Sequence, residues 1–154
     1  ADEQPPLIKL TQLLGLYLRK YYNNVHYAKA QNLRKVLTQQ VDSALEQADV
    51  LVVPTTITKP TKLFDNRLTT KQWVEAVASY PWVYNTAPTD MTGHPCLVMP
   101  CGLSENNLPI SIMFIGKHWN ESTLFRVGHT YESMIADLYG RLDQVSKGVM
   151  ASVS

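Results

Sequence analysis

The sequence predicts an α/β fold: a small sheet of buried strands, covered by helices, that completes a larger sheet. Three observations predict it. The first third of the chain carries two long runs with helical spacing. Three short segments, Asp49–Pro54, Cys96–Cys101 and Ile110–Ile115, are apolar almost throughout, which is the pattern of strands covered on both faces. A further amphipathic run follows Asn120. Three buried strands form a sheet with open edges for a chain of 154 residues.

Each element has a local reason. After Pro5-Pro6, apolar residues at 7, 10, 13, 14, 17, 18 and 21 predict a helix over Leu7–Tyr22, interrupted by Asn23-Asn24. From Val25 to Ala48 the apolar positions 30, 33, 37, 41, 44, 45 and 48 predict a longer amphipathic helix. Asp49–Pro54 changes the period to a buried strand. Thr55–Thr70, rich in threonine and containing Pro60, is expected to be loop, and Lys71–Tyr80 a short helix stopped by Pro81. Cys96–Cys101 and Ile110–Ile115, separated by a segment with Glu105-Asn106-Asn107, predict a hairpin with a wide turn. Asn120 is placed as an N-cap, with Glu121 in the first turn of a helix over Glu121–Leu138. Residues 1–142 are expected to form the domain portion and 143–154 a weakly structured tail.

Composition narrows the function. Hydrophobic residues make up 45% and charged residues 18%, a globular balance. Formal charge is +1 with no Lys/Arg block, so nucleic acid is not an expected partner. No apolar run is long enough to span a membrane, and the N-terminus lacks the charge and apolar stretch of a signal peptide. Two cysteines are too few for a disulfide framework and fit a reducing compartment, so the cytoplasm is expected.

The seven glycines are scattered, whereas phosphate cradles and dinucleotide fingerprints need them clustered; no cofactor is expected. No serine sits in a G-x-S-x-G turn. The densest polar run is Asp90-Met91-Thr92-Gly93-His94-Pro95-Cys96. A proline between His94 and Cys96 at the mouth of an apolar strand points to a packed, inert thiol rather than a nucleophile. No metal site is expected, because His26, His94, His118 and His129 are scattered along the chain and Cys96 and Cys101 fall on opposite faces of a strand. Arg34 has two readings, a fork for a substrate carboxylate or carbonyl and a structural ion pair at a helix surface. Trp73, Trp82 and Trp119 are expected to pack between layers, with a pocket wall as the alternative.

Four segments have distinctive wording: Tyr27-Ala28-Lys29-Ala30-Gln31-Asn32-Leu33-Arg34, Asp49-Val50-Leu51-Val52-Val53-Pro54-Thr55-Thr56, the run from Asn85-Thr86-Ala87-Pro88 through Thr92-Gly93-His94-Pro95-Cys96 to Met99-Pro100-Cys101-Gly102-Leu103, and Leu108–Gly116. Together they resemble the amidase-signature family. They stand in the family's order and cover most of Leu13–Glu132. The Asn-Thr-Ala-Pro and Thr-Gly-His-Pro wording looks closest to bacterial broad-specificity amidases, including those that work beside nitrile hydratases.

The resemblance implies the C-terminal part of the amidase-signature fold, a mixed β-sheet covered by helices. It also implies a Ser–cis-Ser–Lys hydrolase, in which a serine hydroxyl is activated by a neighbouring base and backbone N–H groups of a Gly/Ser-rich loop stabilise the oxyanion. That loop has no counterpart here, so no catalytic residue is assigned and the chain alone is expected to be inactive. The implied partners are a missing N-terminal catalytic part and a small amide substrate, with a homo-oligomer possible. By the same resemblance Val83, Thr86 and Ala87 line the substrate channel, and Arg34 remains a substrate-binding candidate. Val83 occupies the place where the glutamine-using amidotransferase branch carries an Asp for the glutamine amino group. An amide hydrolase piece is therefore the first expectation, with a glutamine-hydrolysing amidotransferase piece or a non-catalytic interaction module as the alternatives.

Overall fold

The computed structural model describes residues 4–62 and 67–153, with side chains described as far as 147. The element order is α1 (Pro6–Tyr22), α2 (Val25–Glu46), β1 (Val50–Pro54), α3 (Thr70–Ser79), α4 (Ala87–Thr92), β2 (Cys96–Leu103), β3 (Pro109–Gly116), α5 (Glu121–Met134) and α6 (Ala136–Val153).

Local chemistry explains the boundaries. Pro6 opens α1, where its missing N–H costs nothing. Asn23 and Asn24 then adopt left-handed conformations at φ 45° and 61°, a region Asn tolerates better than other side chains, and this separates α1 from α2. Thr69 caps α3 through a capping box with Gln72. Tyr80, held extended before Pro81 at ψ 134°, ends it. The loop expected over Thr55–Thr70 holds for the described residues before Thr70, and positions 63–66 within it lie outside the described residues.

The sheet order is β1-β3-β2. Both pairings are antiparallel, with Val52 opposite Phe114 and Leu97 opposite the same residue from the other side. These three strands therefore do not by themselves make the mixed sheet. Among the described residues, the outer edges of β1 and β2 carry no strand partner. The β2–β3 hairpin closes through Ser104, whose N–H donates to Leu108 O at 2.8 Å and whose Oγ accepts from Leu108 N at 3.1 Å.

Helix α5 covers one face of the sheet. Leu124, 3% exposed, packs with Met99 and Phe114. Burying a leucine this fully contributes about 2–3 kcal/mol. Two glycines let the layers approach. A Cβ on Gly116 would lie 3.0 Å from Leu124 Cγ, and one on Gly128 would lie 2.4 Å from Leu97 Cδ2. Tyr131 meets Phe114 edge-on at 5.5 Å, a favoured aromatic geometry.

The structure corrects four expectations. The strands are not covered on both faces, since Val52 and Val98 are about half exposed. The helix expected over Glu121–Leu138 stops at Met134, and Ile135 leaves helical geometry at φ −108°, ψ 20° before α6 begins. The tail from Asp143, expected to be weakly structured, is helical to Val153. An additional short helix, α4, forms between Ala87 and Thr92.

The core is small for the surface that surrounds it. The buried apolar residues among those described are Leu45, Met99, Met113, Phe114, Ile115 and Leu124. Helix α1 buries none of its residues, and Leu10, Leu13, Leu14, Leu16 and Tyr17 along it are exposed. Apolar surface of this extent is unusual on a folded chain that stands alone.

Candidate functional site

The region that gathers the matched motifs lies where β1 ends and α4 begins. Asn85 Nδ2 donates to Pro54 O at 2.6 Å, tying the turn before α4 to the end of β1. Ala87 N donates to Val83 O at 2.8 Å, and Asp90 N to Thr86 O at 3.2 Å. Thr89 Oγ1 also donates to Thr86 O at 2.8 Å. Val83, Thr86 and Ala87 are thus held in one hydrogen-bonded turn. Val83 is 60% exposed, and Thr86 and Ala87 are half-buried. Beside this anchor, Thr55 Oγ1 is the buried side-chain polar atom among the described residues that lacks a hydrogen-bond partner.

Arg34 stands elsewhere, on an exposed stretch of α2. It borders a groove of ≈ 420 Å³ with Gln31, Lys35, Thr38 and Gln39, which does not include Val83, Thr86 or Ala87. Among the described residues it makes no ion pair, so the structural-ion-pair reading finds no partner.

Pro88 near its start and Gly93 at its end bracket α4. Gly93 adopts φ +79° and its N–H donates to Thr89 O at 2.8 Å, a left-handed stop that suits glycine. Immediately after it, His94 has a fully buried side chain. Its Nδ1 lies 2.8 Å from Thr92 Oγ1 and its Nε2 3.1 Å from Asp42 Oδ1 on α2. The ring of His118, from the β3–α5 connection, stacks on it with centroids 3.9 Å apart. His94 and His118, scattered in the sequence, are neighbours in space.

Cys96 is exposed as a residue rather than buried as expected, although its Sγ still reaches His94 O at 3.6 Å. Partial burial of the thiol raises its pKa, a hydrogen bond with Thr89 opposes this, and Asp90 adds to it. A raised pKa leaves little thiolate at neutral pH, which argues against a nucleophile. Trp119 is 93% exposed at φ 60°, so it does not pack between layers. Trp82 is exposed and Trp73 half-buried. No described helix is long and apolar enough to cross a membrane.

Comparison with known proteins places these features. Residues 6–125 match the Amidase family. A glutamyl-tRNA(Gln) amidotransferase subunit from Brevibacillus brevis is 34% identical over 143 residues, 92% of this chain and 28% of that protein. Its counterpart from Koribacter versatilis is 35% identical over 130 residues, 84% of this chain and 26% of that protein. A Rhodococcus erythropolis protein described as an uncharacterized protein in the nthA 5' region is 34% identical over 134 residues, 87% of this chain and 66% of that protein. Among solved structures, the corresponding glutamyl-tRNA(Gln) amidotransferase subunit from Thermotoga maritima shares the fold with TM-score 0.54 and 24% identity, covering 78% of this chain and 24% of that one. The chain spans about a quarter of the length of the amidotransferase subunits it matches. The family match covers most of the chain, and the chain belongs to the Amidase family.

Proposed function

We propose that residues 1–142 are the C-terminal portion of an amidase-signature domain and contribute a substrate-pocket wall to an amide hydrolase. The enzyme releases ammonia from small or aromatic carboxamides through a Ser–cis-Ser–Lys triad carried by a separate chain or segment. The observation that carries this reading is the unfinished sheet. Three antiparallel strands leave both outer edges unpaired among the described residues, with half-exposed valines on β1 and β2. Such edges are normally paired or covered. Val83, exposed on the turn that Asn85 fixes, offers an apolar wall to the acyl part of an uncharged amide.

A second reading, a piece of a glutamine-hydrolysing amidotransferase, is favoured by the names of the relatives from Brevibacillus and Koribacter. An apolar side chain at Val83 cannot pair with an ammonium group, which places this reading second. In either case the enzyme works in the cytoplasm and the chain needs its catalytic companion; a homo-oligomer of the completed enzyme is compatible with both.

The test is reconstitution. The chain is mixed with a companion bearing the Gly/Ser-rich loop, and ammonia release is measured from benzamide, acetamide and glutamine. Release from the carboxamides in the mixture, and from neither component alone, supports the hydrolase. Release from glutamine only supports the amidotransferase. Activity of the chain by itself overturns both.

A further inference from the structure

We propose that Asp42, His94 and His118 form a binding site for one divalent transition-metal ion of the zinc or cobalt type, separate from the substrate wall. The three residues come from α2, the α4–β2 connection and the β3–α5 connection. Each offers one ligand atom, and these atoms all lie within 4.8 Å of one another. Two imidazoles and a carboxylate are a donor set suited to such ions. Three protein ligands leave a fourth position for water, as in open tetrahedral zinc sites.

The hydrogen bonds of His94 are compatible with an ion. Its Nδ1 lies 2.8 Å from Thr92 Oγ1 and its Nε2 3.1 Å from Asp42 Oδ1. With the ring proton on Nδ1 and donated to Thr92, the Nε2 lone pair is turned toward Asp42 and open to a cation. A hydrogen bond between His94 and Asp42 has no use for His118, whereas an ion uses all three. Bonds of about 2.0–2.1 Å in tetrahedral geometry set neighbouring ligand atoms roughly 3.4 Å apart, close to the Asp42–His94 separation. His118, half-buried, must swing inward to close the remaining gap.

The surroundings have the second layer that metal sites use. Thr92 Oγ1, 2.8 Å from Nδ1, holds the plane of the His94 ring, as outer hydrogen bonds do for metal-bound histidines. The Asp42 side chain is about half exposed, which gives an ion a path in from solvent. A bound ion would tie α2 to the connections at both ends of the β2–β3 hairpin.

The experiment titrates the full chain, stripped with a chelator, with Co2+ and follows visible absorption, with Zn2+ affinity then measured by competition against a chromophoric chelator. One Co2+ per chain with the intense bands of a tetrahedral ion is expected. His118→Ala should weaken binding at least about tenfold while the far-UV circular dichroism stays unchanged. If that variant loses its fold, the isosteric Asp42→Asn replaces it under the same expectation. No uptake by the native chain, or equal uptake by native chain and folded variant, overturns the proposal.

Discussion

Replacing His94 by Ala tests a buried polar joint between α2 and the end of α4. The ring is fully buried and joins α2 to the end of α4 through Asp42 and Thr92. Removing it deletes two hydrogen bonds, each worth about 1 kcal/mol net. The bond to Asp42 is not credited with the larger value of a buried charged partner, because that side chain is half exposed and solvent screens it. Thr92 Oγ1 is left buried with one weak partner at 3.5 Å, and the imidazole leaves a cavity where it packed on His118 at 3.9 Å; together these add roughly 1–2 kcal/mol. The expected total is about 3–4 kcal/mol. Asp42→Asn keeps a side-chain oxygen in place and should cost under about 1 kcal/mol. Both are measured by urea unfolding of the full chain in the presence of a chelator, which keeps any bound ion out of the comparison. A loss below about 1 kcal/mol for His94→Ala, or equal losses for the two variants, would refute the assignment of His94 as a structural joint.

Other perturbations probe other layers. Leu124→Ala removes a core side chain held between Met99, Phe114 and Gly116 and should cost about 3 kcal/mol, read as a lower urea midpoint with unchanged slope. Lys59 pairs with Glu105 at 2.5 Å across the surface and, as its largest effect, holds the Glu105 carboxyl below its ordinary pKa. A depressed folded-state pKa gives a contribution that is present above the unfolded value, about 4.3, and is lost as pH falls through the folded one. Because both groups are exposed the effect on stability is slight, and the check is an NMR titration in which Lys59→Met moves the Glu105 midpoint up. Cys96, with its pKa raised by burial, should react with iodoacetamide at neutral pH more slowly than an unstructured cysteine peptide; equal rates would contradict the packing of its Sγ. In the reconstituted enzyme, Val83→Asp should lower kcat/KM for benzamide about tenfold or more, because an unpaired carboxylate on an apolar wall carries a desolvation cost of roughly one to a few kcal/mol. An unchanged value would remove Val83 from the substrate channel.

The elements that periodicity could reveal are those long enough to show it. Leu7–Tyr22 and Val25–Ala48 have enough turns for an apolar stripe, and Asn23-Asn24 marks the break because both residues enter left-handed geometry. Helix α4 has six residues, too few for a stripe, and only its punctuation gives it away: Pro88 inside the start and Gly93 just past the end. The break at Ile135 has no such mark. The apolar pattern runs on through 134, 135 and 138, and Gly140, the residue that propensity would choose for a stop, lies inside α6; nothing in the structure explains why the helix turns at Ile135 instead.

Burial and proximity were less legible than element type, and for a physical reason. A fully apolar strand says that its faces seek cover, but not that the same chain supplies it. Val52 and Val98 carry the pattern of interior residues and stand half exposed, and α1 has an amphipathic stripe with no buried residue at all. The proposed substrate wall shows the same division. Val83, Thr86 and Ala87 were legible only through the family resemblance; the bonds within their turn are local, whereas the one from Asn85 to Pro54 O spans 31 positions. The Asp42–His94 contact spans 52, and His118 joins only because β3 returns antiparallel beside β2 and brings the β3–α5 connection back to the start of that strand. No spacing rule marks such a cluster, since its geometry is created by the sheet register: Cys96 faces Ile115, so the residues just before β2 and just after β3 must meet. Slipping that register by one residue would turn Met99 and Phe114 away from Leu124. The polar joint and the apolar core are therefore fixed by the same pairing.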